Sequence, residues 1–149
     1  MEINGIAHVI LTVADLPRAA EFYRPLLELL GLQRIVDTDV YLYYVGGRTA
    51  VGLRPSAEAQ RGERFSQARV GLHHVCFRAR SREDVDQVHA RVRELGAHVV
   101  HVPEEAGWVP GYYSVLFEDP DGIRLEVNYI PGKGVLGDDV QRLEQLAPR

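Results

Sequence analysis

The sequence predicts an α+β fold built from two βαβββ modules, and three observations lead there. First, the order strand, helix cap, amphipathic helix and stop glycine occurs twice. His8 and His74 are 66 residues apart, as are Asp15 and Ser81, and Gly31 and Gly96 are 65 apart. A period that keeps all four signals in register marks a duplicated supersecondary unit. Second, each helical stretch is followed by short runs in which apolar and polar residues alternate, the mark of half-buried strands. Third, residues 117–127 read FEDPDGIRLEV, two strands about a tight turn. Pro120 presets φ, Gly122 brings no Cβ, and Asp119 and Asp121 offer side-chain acceptors to nearby backbone N–H groups.

The elements follow in order. Residues 6–13, IAHVILTV, are rich in β-branched side chains and alternate, with Ala7, Val9, Leu11 and Val13 on one face and His8, Ile10 and Thr12 on the other. Asp15 is an N-cap and Pro17 suits a first helical turn; Ala20, Phe22 or Tyr23, Leu26 or Leu27 and Leu30 recur at helical spacing up to Gly31. Pro25 falls inside this helix and predicts a kink. Strands are expected at 33–37, 41–45 and 49–54, with Gly46 and Gly47 as a two-residue hairpin turn. Residues 55–69 are polar and aperiodic, a connecting loop between the halves. Residues 71–79, GLHHVCFRA, form the next strand, and Ser81 with Asp84 opens a helix carrying Val85, Val88, Val92 and Leu95. Strands are then expected at 97–102, 112–118 and 123–129, with an insertion at 103–110 bearing Trp108. A tail helix is expected at about 138–146, with Val140, Leu143 and Leu146 on one side. Module one spans about 5–55 and module two about 70–130, in a single domain.

Composition narrows the function. The 149 residues are 46% hydrophobic and 26% charged, with a formal charge of −4 and a pI near 5.8. This chain can bury a core but carries no basic face for nucleic acid. No apolar run approaches the roughly 20 residues of a membrane span, and no leader-like start is seen, so the expected location is cytoplasmic. Cys76 is the single cysteine; its apolar strand suggests a small buried side chain, not a nucleophile.

The candidate site comes from the polar strand faces. If these faces line a shared cleft, His8 and His74, at equivalent first-strand positions, point into it. Glu126 joins them, since it alternates with Ile123, Leu125 and Val127 on the last strand. Two imidazoles and a carboxylate are a ligand set for divalent Fe, Mn, Ni or Zn. By the same alternation His73 faces the helix side. Tyr41, Tyr43, Phe65, Trp108 and Tyr112 are candidates for the wall of a pocket for a flat substrate, and Arg48, Arg54 and Arg124 for holding an anionic group. Tyr112, Ser114 and His101 are the candidate general bases.

The segments IAHVILTVADLPRAAEFY, GLHHVCFRA and FEDPDGIRLEV together resemble the vicinal oxygen chelate superfamily, which includes glyoxalase I, methylmalonyl-CoA epimerase, extradiol dioxygenases, fosfomycin-modifying enzymes and bleomycin-binding proteins. The resemblance runs over about residues 6–129. It implies paired βαβββ modules, frequent dimers, and metal ligands at His8, His74 and Glu126. Glyoxalase I and the epimerase also supply a Glu or Gln near the end of the first module, where this chain has Gly52. That leaves the two-His-one-carboxylate pattern of extradiol dioxygenases and fosfomycin transferases. Those families place a Tyr where this chain has Leu116. The expected function is therefore a metal-dependent lyase, isomerase or dioxygenase acting on a small oxygenated molecule, as a homodimer. The opposing class is a metal-free small-molecule or antibiotic-binding protein of the same fold.

Overall fold

The computed structural model describes residue 3 and residues 5–132; the tail helix expected at 138–146 lies outside the described residues. The described residues form two compact units, one running to residue 65 with 120–122, the other of 66–119 with 123–132. The fold is α+β, with two four-stranded sheets and two α-helices among the described residues.

The first unit contains β1 (His8–Val13), α1 (Leu16–Leu29), β2 (Gln33–Thr38), β3 (Tyr41–Gly46) and β4 (Thr49–Pro55) in sheet order β1-β4-β3-β2. β1 runs parallel to β4, which a helical crossover permits, and the other pairs are antiparallel. Asp15 caps α1 by accepting from the Arg18 N–H at 2.9 Å, and the helix continues through Pro25. Ala19, Phe22, Tyr23, Leu26 and Leu27 are buried, as are Leu11, Val13, Leu42, Tyr44, Val51 and Leu53 of the sheet. These are the alternate strand positions, so one sheet face packs on the helix and leaves the other for His8, Ile10 and Thr12. The β3–β4 hairpin turns at Gly47-Arg48, one residue later than the expected Gly46-Gly47: Gly46 pairs with Thr49, and it is Gly47 that takes the positive φ of 58°. Leu32 packs over Gly46, where a Cβ would meet its Cγ at 2.9 Å.

The second unit repeats the plan with β5 (Val75–Arg78), α2 (Arg82–Glu94), β6 (His98–Glu105), β7 (Tyr113–Glu118) and β8 (Arg124–Tyr129) in order β5-β8-β7-β6. Ser81 and Asp84 form a complete capping box at α2. Val85, Val88 and Val92 are buried on the helix, and Val115, Phe117, Leu125 and Val127 on the sheet.

Two boundaries differ from the sequence reading. β5 starts at Val75 and not at Gly71: its parallel ladder with β8 begins at the Val75–Leu125 pair, one residue inside the start of β8 at Arg124. β6 runs to Glu105, three residues past the expected end, and admits Pro103 because the register shifts between Val99 and His101 and again between His101 and Glu104.

In the FEDPDG turn, Asp119 accepts from the Ile123 N–H at 2.8 Å, closing the turn locally. Asp121 does something else: its carboxylate accepts from the Ala14 N–H at 2.6 Å and from Arg18 at the start of α1.

Tyr44 carries a pH signature of this packing. It is fully buried and donates to Glu28 at 3.0 Å. Burial, then the Glu28 bond and charge, push its phenol up to about 12. A raised folded value means the contribution to stability is intact below the ordinary phenol value of about 10 and fades as the pH climbs from there toward the folded value. Denaturant melts between pH 9 and about 12 should show this decline, and Tyr44→Phe should make it shallower.

Candidate functional site

The second unit gathers a polar cluster on the sheet face away from α2. Strand register places it: Cys76 pairs with Glu126 across β5–β8, and Leu116 pairs with Glu126 across β7–β8. Paired residues share a face, so Cys76, Glu126 and Leu116 form one row and Arg78, Asn128 and Ser114 the next. Glu126 is only 8% exposed, so this is not the solvated face that a mid-strand Glu ordinarily marks.

A buried carboxylate requires polar partners, and Glu126 has one beside each oxygen. His74 Nε2 lies 3.1 Å from Oε2, and Tyr112 Oη donates to Oε1 at 2.5 Å. Asn128 Nδ2 donates to Tyr112 Oη at 3.0 Å. Because the tyrosine oxygen already accepts from Asn128, its own proton is directed at Glu126. Burial, and after it the Glu126 bond, hold the phenol well above its ordinary value, so Tyr112 is a neutral donor at physiological pH. On the far side of His74, its Nδ1 lies 2.8 Å from Nδ1 of His73. The result is a continuous chain, His73, His74, Glu126, Tyr112, Asn128.

Two sequence expectations are corrected here. His73 does not face the helix side: both histidines precede the first paired residue of β5, where strand alternation has no force, and their rings meet edge to face with centroids 5.0 Å apart. Cys76 is exposed rather than a core residue, because the register sets it beside Glu126 and not toward α2. Packing around its sulfur, then the charge and hydrogen bond of Glu126, nevertheless push the thiol up to about 12.

The other candidates occupy separate places. Ser114 is buried on the Glu126 face, paired with Asn128. His101 pairs with Leu116, donates from Nδ1 to the Val102 carbonyl at 3.0 Å and lies 3.6 Å from Glu104. Trp108 is 44% exposed in the connection between β6 and β7. Arg124 lies beside Glu118. In the first unit, His8 is exposed and pairs with Ala50. Tyr41 and Tyr43 stack with centroids 5.6 Å apart and planes at 20°, and Arg54 is exposed on the same sheet, opposite Thr12.

Gly52 holds the place in the first unit that Glu126 holds in the second: Ile10 pairs with Gly52 as Cys76 pairs with Glu126, and 66 residues separate Ile10 from Cys76. The space above Gly52 is filled. A Cβ there would meet Ile10 Cδ1 at 2.6 Å, Tyr41 Oη at 3.0 Å and Tyr43 Cδ2 at 3.0 Å. Gly52 thus offers no ligand, and a larger side chain here would have to displace Ile10 and the tyrosine pair.

His74 and Glu126 stand as close as an ordinary ion pair. Two ligands at the roughly 2.0–2.2 Å N and O distances of a divalent ion, 90° to 110° apart, are separated by about 2.9–3.4 Å, and the observed Nε2 to Oε2 distance is 3.1 Å. Among the described residues, no group of three or more His, Cys, Asp or Glu side chains is arranged to hold an ion.

The family model described as Glyoxalase/Bleomycin resistance protein/Dioxygenase superfamily matches residues 5–127. The chain belongs to this superfamily. Among similar members, the uncharacterized protein YqjT of Bacillus subtilis is 29% identical over 122 residues, covering 80% of this chain and 94% of that one. The metallothiol transferase FosB of Shouchella clausii is 25% identical over 147 residues, covering 98% and 91%. The crystal structure of a candidate glyoxalase from Bacillus halodurans superposes with a TM-score of 0.76 at 26% identity, covering 85% of this chain and 96% of its own. The glyoxalase superfamily thus accounts for both modules.

Sequence reasoning missed Asn128, Cys76 and His73 as members of the cluster. Asn128 was within reach, since it lies two residues past Glu126 and shares its face by alternation. Cys76 required the parallel register, and His73 the early end of the ladder.

Alkylation tests this microenvironment. With its thiol held protonated, Cys76 should react with iodoacetamide at pH 8 at least about tenfold more slowly than free cysteine, and Glu126→Gln should speed it by removing the neighbouring charge. Equal rates in both proteins would contradict the assignment.

Proposed function

We propose that this chain is a metal-dependent enzyme acting on a small oxygenated molecule, with His8, His74 and Glu126 as the metal ligands. The observation that carries the reading is the buried Glu126 carboxylate with its Oε2 at 3.1 Å from His74 Nε2, at the separation of two adjacent ligands of one ion. His8 is the third ligand by its repeat position and by the family resemblance, supplied by this chain or by a second copy. Gly52, covered by Ile10 and the two tyrosines, supports a three-ligand set that leaves positions for substrate. The similarity to FosB, a metallothiol transferase, points the same way.

A divalent ion bound there supplies Lewis acidity, polarising substrate oxygens and stabilising oxyanion charge. Fe, Mn, Ni and Zn all accept two imidazoles and a carboxylate. The chain's own residues do the rest. Tyr112 donates to Glu126 Oε1, so Oε2 is the oxygen that would remain for an ion; Asn128 holds the tyrosine in place. The stacked pair Tyr41 and Tyr43 offers a flat wall for an aromatic or planar substrate, with Arg54 for an anionic group. Ser114 and His101 remain the candidates for moving a proton. The reading includes a homodimer: β1 and β5 are edge strands of their sheets, and the exposed Ile6 and Leu72 just ahead of them give each edge an apolar flank.

Elemental analysis and calorimetry with Zn²⁺ or Mn²⁺ test the metal reading. The parent should bind about one ion per chain, and His8→Ala, His74→Ala and Glu126→Gln should each weaken binding by more than the roughly 10–100-fold typical of an outer partner. A parent that binds no metal overturns the reading and favours a metal-free small-molecule binder.

A further inference from the structure

The polar face of the second sheet has another row beside that of Glu126, and its chemistry is different. Arg78, Asn128 and Ser114 lie in line across β5, β8 and β7, two residues along each strand from Cys76, Glu126 and Leu116. Two strand residues span about 7 Å, so the row stands roughly that far from the carboxylate. Arg78 ends β5 and is exposed, whereas Asn128 and Ser114 are buried.

All three side chains can donate. Arg78 offers guanidinium N–H groups in a planar fork, Ser114 a hydroxyl, and Asn128 two amide N–H groups, one of them used on Tyr112 at 3.0 Å. The row contains no acidic residue. Arg124, on the same face beyond Glu126, is already engaged by Glu118 at 3.4 Å. Arg78 has no such partner: among the described residues its side chain makes neither an ion pair nor a hydrogen bond. Its charge nevertheless reaches into the cluster. Burial, then Glu126, push the Cys76 thiol up, and Arg78 is among the groups that pull it back, which sets the guanidinium within Coulomb range of the neighbouring row.

The first unit carries the equivalent row, with Thr12 paired to Arg54 as Arg78 is paired to Asn128. There both side chains are exposed, and water serves them. In the second unit the charged fork instead stands beside two buried donors, an arrangement that favours an oxyanion over water because donors held in a less polar setting bind negative charge more strongly.

We propose that the row Arg78, Asn128 and Ser114 is an oxyanion-binding site, which takes the carboxylate or phosphate end of a short ligand whose remaining polar group lies at Glu126. Arg78 supplies the charge and the paired N–H groups, and Asn128 and Ser114 fix the orientation. The assignment stands on the donor row and not on a bound ion, so it applies equally to an enzyme and to a metal-free binder of this fold.

The test is ¹⁵N NMR of the full chain titrated with inorganic phosphate at constant ionic strength, with a chelator present throughout so that no metal takes the anion. The Arg78 Nε–H and Asn128 side-chain amide signals should shift together and saturate with one dissociation constant. Acetate in place of phosphate separates carboxylate from phosphoryl recognition. Arg78→Ala should weaken binding at least about tenfold. Arg78→Lys, which keeps the charge and loses the fork, should recover part of it. Arg54→Ala should bind as the parent does. If neither anion gives a saturable shift at Arg78 and Asn128, or if binding survives Arg78→Ala, or if Arg54→Ala abolishes it, the proposal is overturned. Zn²⁺ calorimetry decides the metal reading separately, so either can fail without the other.

Discussion

The polar half of this molecule depends on the burial of one carboxylate. Glu126 is set on a central strand by the β8 register, between β5 and β7, at 8% exposure. An ionised carboxylate in such a place costs several kcal/mol unless its oxygens are paired, so the residues around it are constrained in kind and in direction. Tyr112 must donate, which fixes Asn128 as the donor behind it. His74 must present a protonated nitrogen or share a cation with the carboxylate. Each member of the chain from His73 to Asn128 has its role decided by its neighbour.

That constraint explains the inequality of the two modules. They have the same strand order and the same helix placement, yet one carries a carboxylate where the other carries a glycine. In the second unit the position is polar and fully partnered. In the first it is closed by Ile10 and the tyrosine pair, which pack where a side chain would project. The duplication thus supplies two equivalent backbone positions with different occupants: one a buried, partnered carboxylate, the other built into an apolar and aromatic surface.

Much of this was legible in the sequence because it rests on local rules. The 66-residue offset reported the duplication, the Asp15 cap and the Ser81–Asp84 box reported the helix starts, and the alternation around Glu126 separated the helix-packing face from the polar one. What escaped depended on where pairing stops. His73 and His74 read as strand by composition, but the β5–β8 ladder begins at the Val75–Leu125 pair and leaves both outside it. Cys76 read as core for the same kind of reason, since an apolar residue in an apolar strand gives no sign of which neighbour lies across the ladder. β6 ran past Pro103 because two register shifts absorbed a residue that cannot donate to a ladder.

The separation of faces also determines what substitutions at the site can reveal. Val85, Val88 and Val92 of α2 and Val115, Phe117, Leu125 and Val127 of the sheet are all buried, and the sheet residues alternate with the polar cluster along the same strands. Burial of such side chains contributes about 1.5–3 kcal/mol each, and none of that apolar area belongs to His73 or His74. His74→Ala and His73→Ala therefore act on the polar cluster while the apolar packing stays whole. Glu126 and Tyr112 differ, because removing either leaves a buried polar partner behind, at a cost of about 1–3 kcal/mol. For this reason the histidines, lying at the open end of the chain of bonds, separate a role in binding from a role in folding more cleanly than the buried residues do.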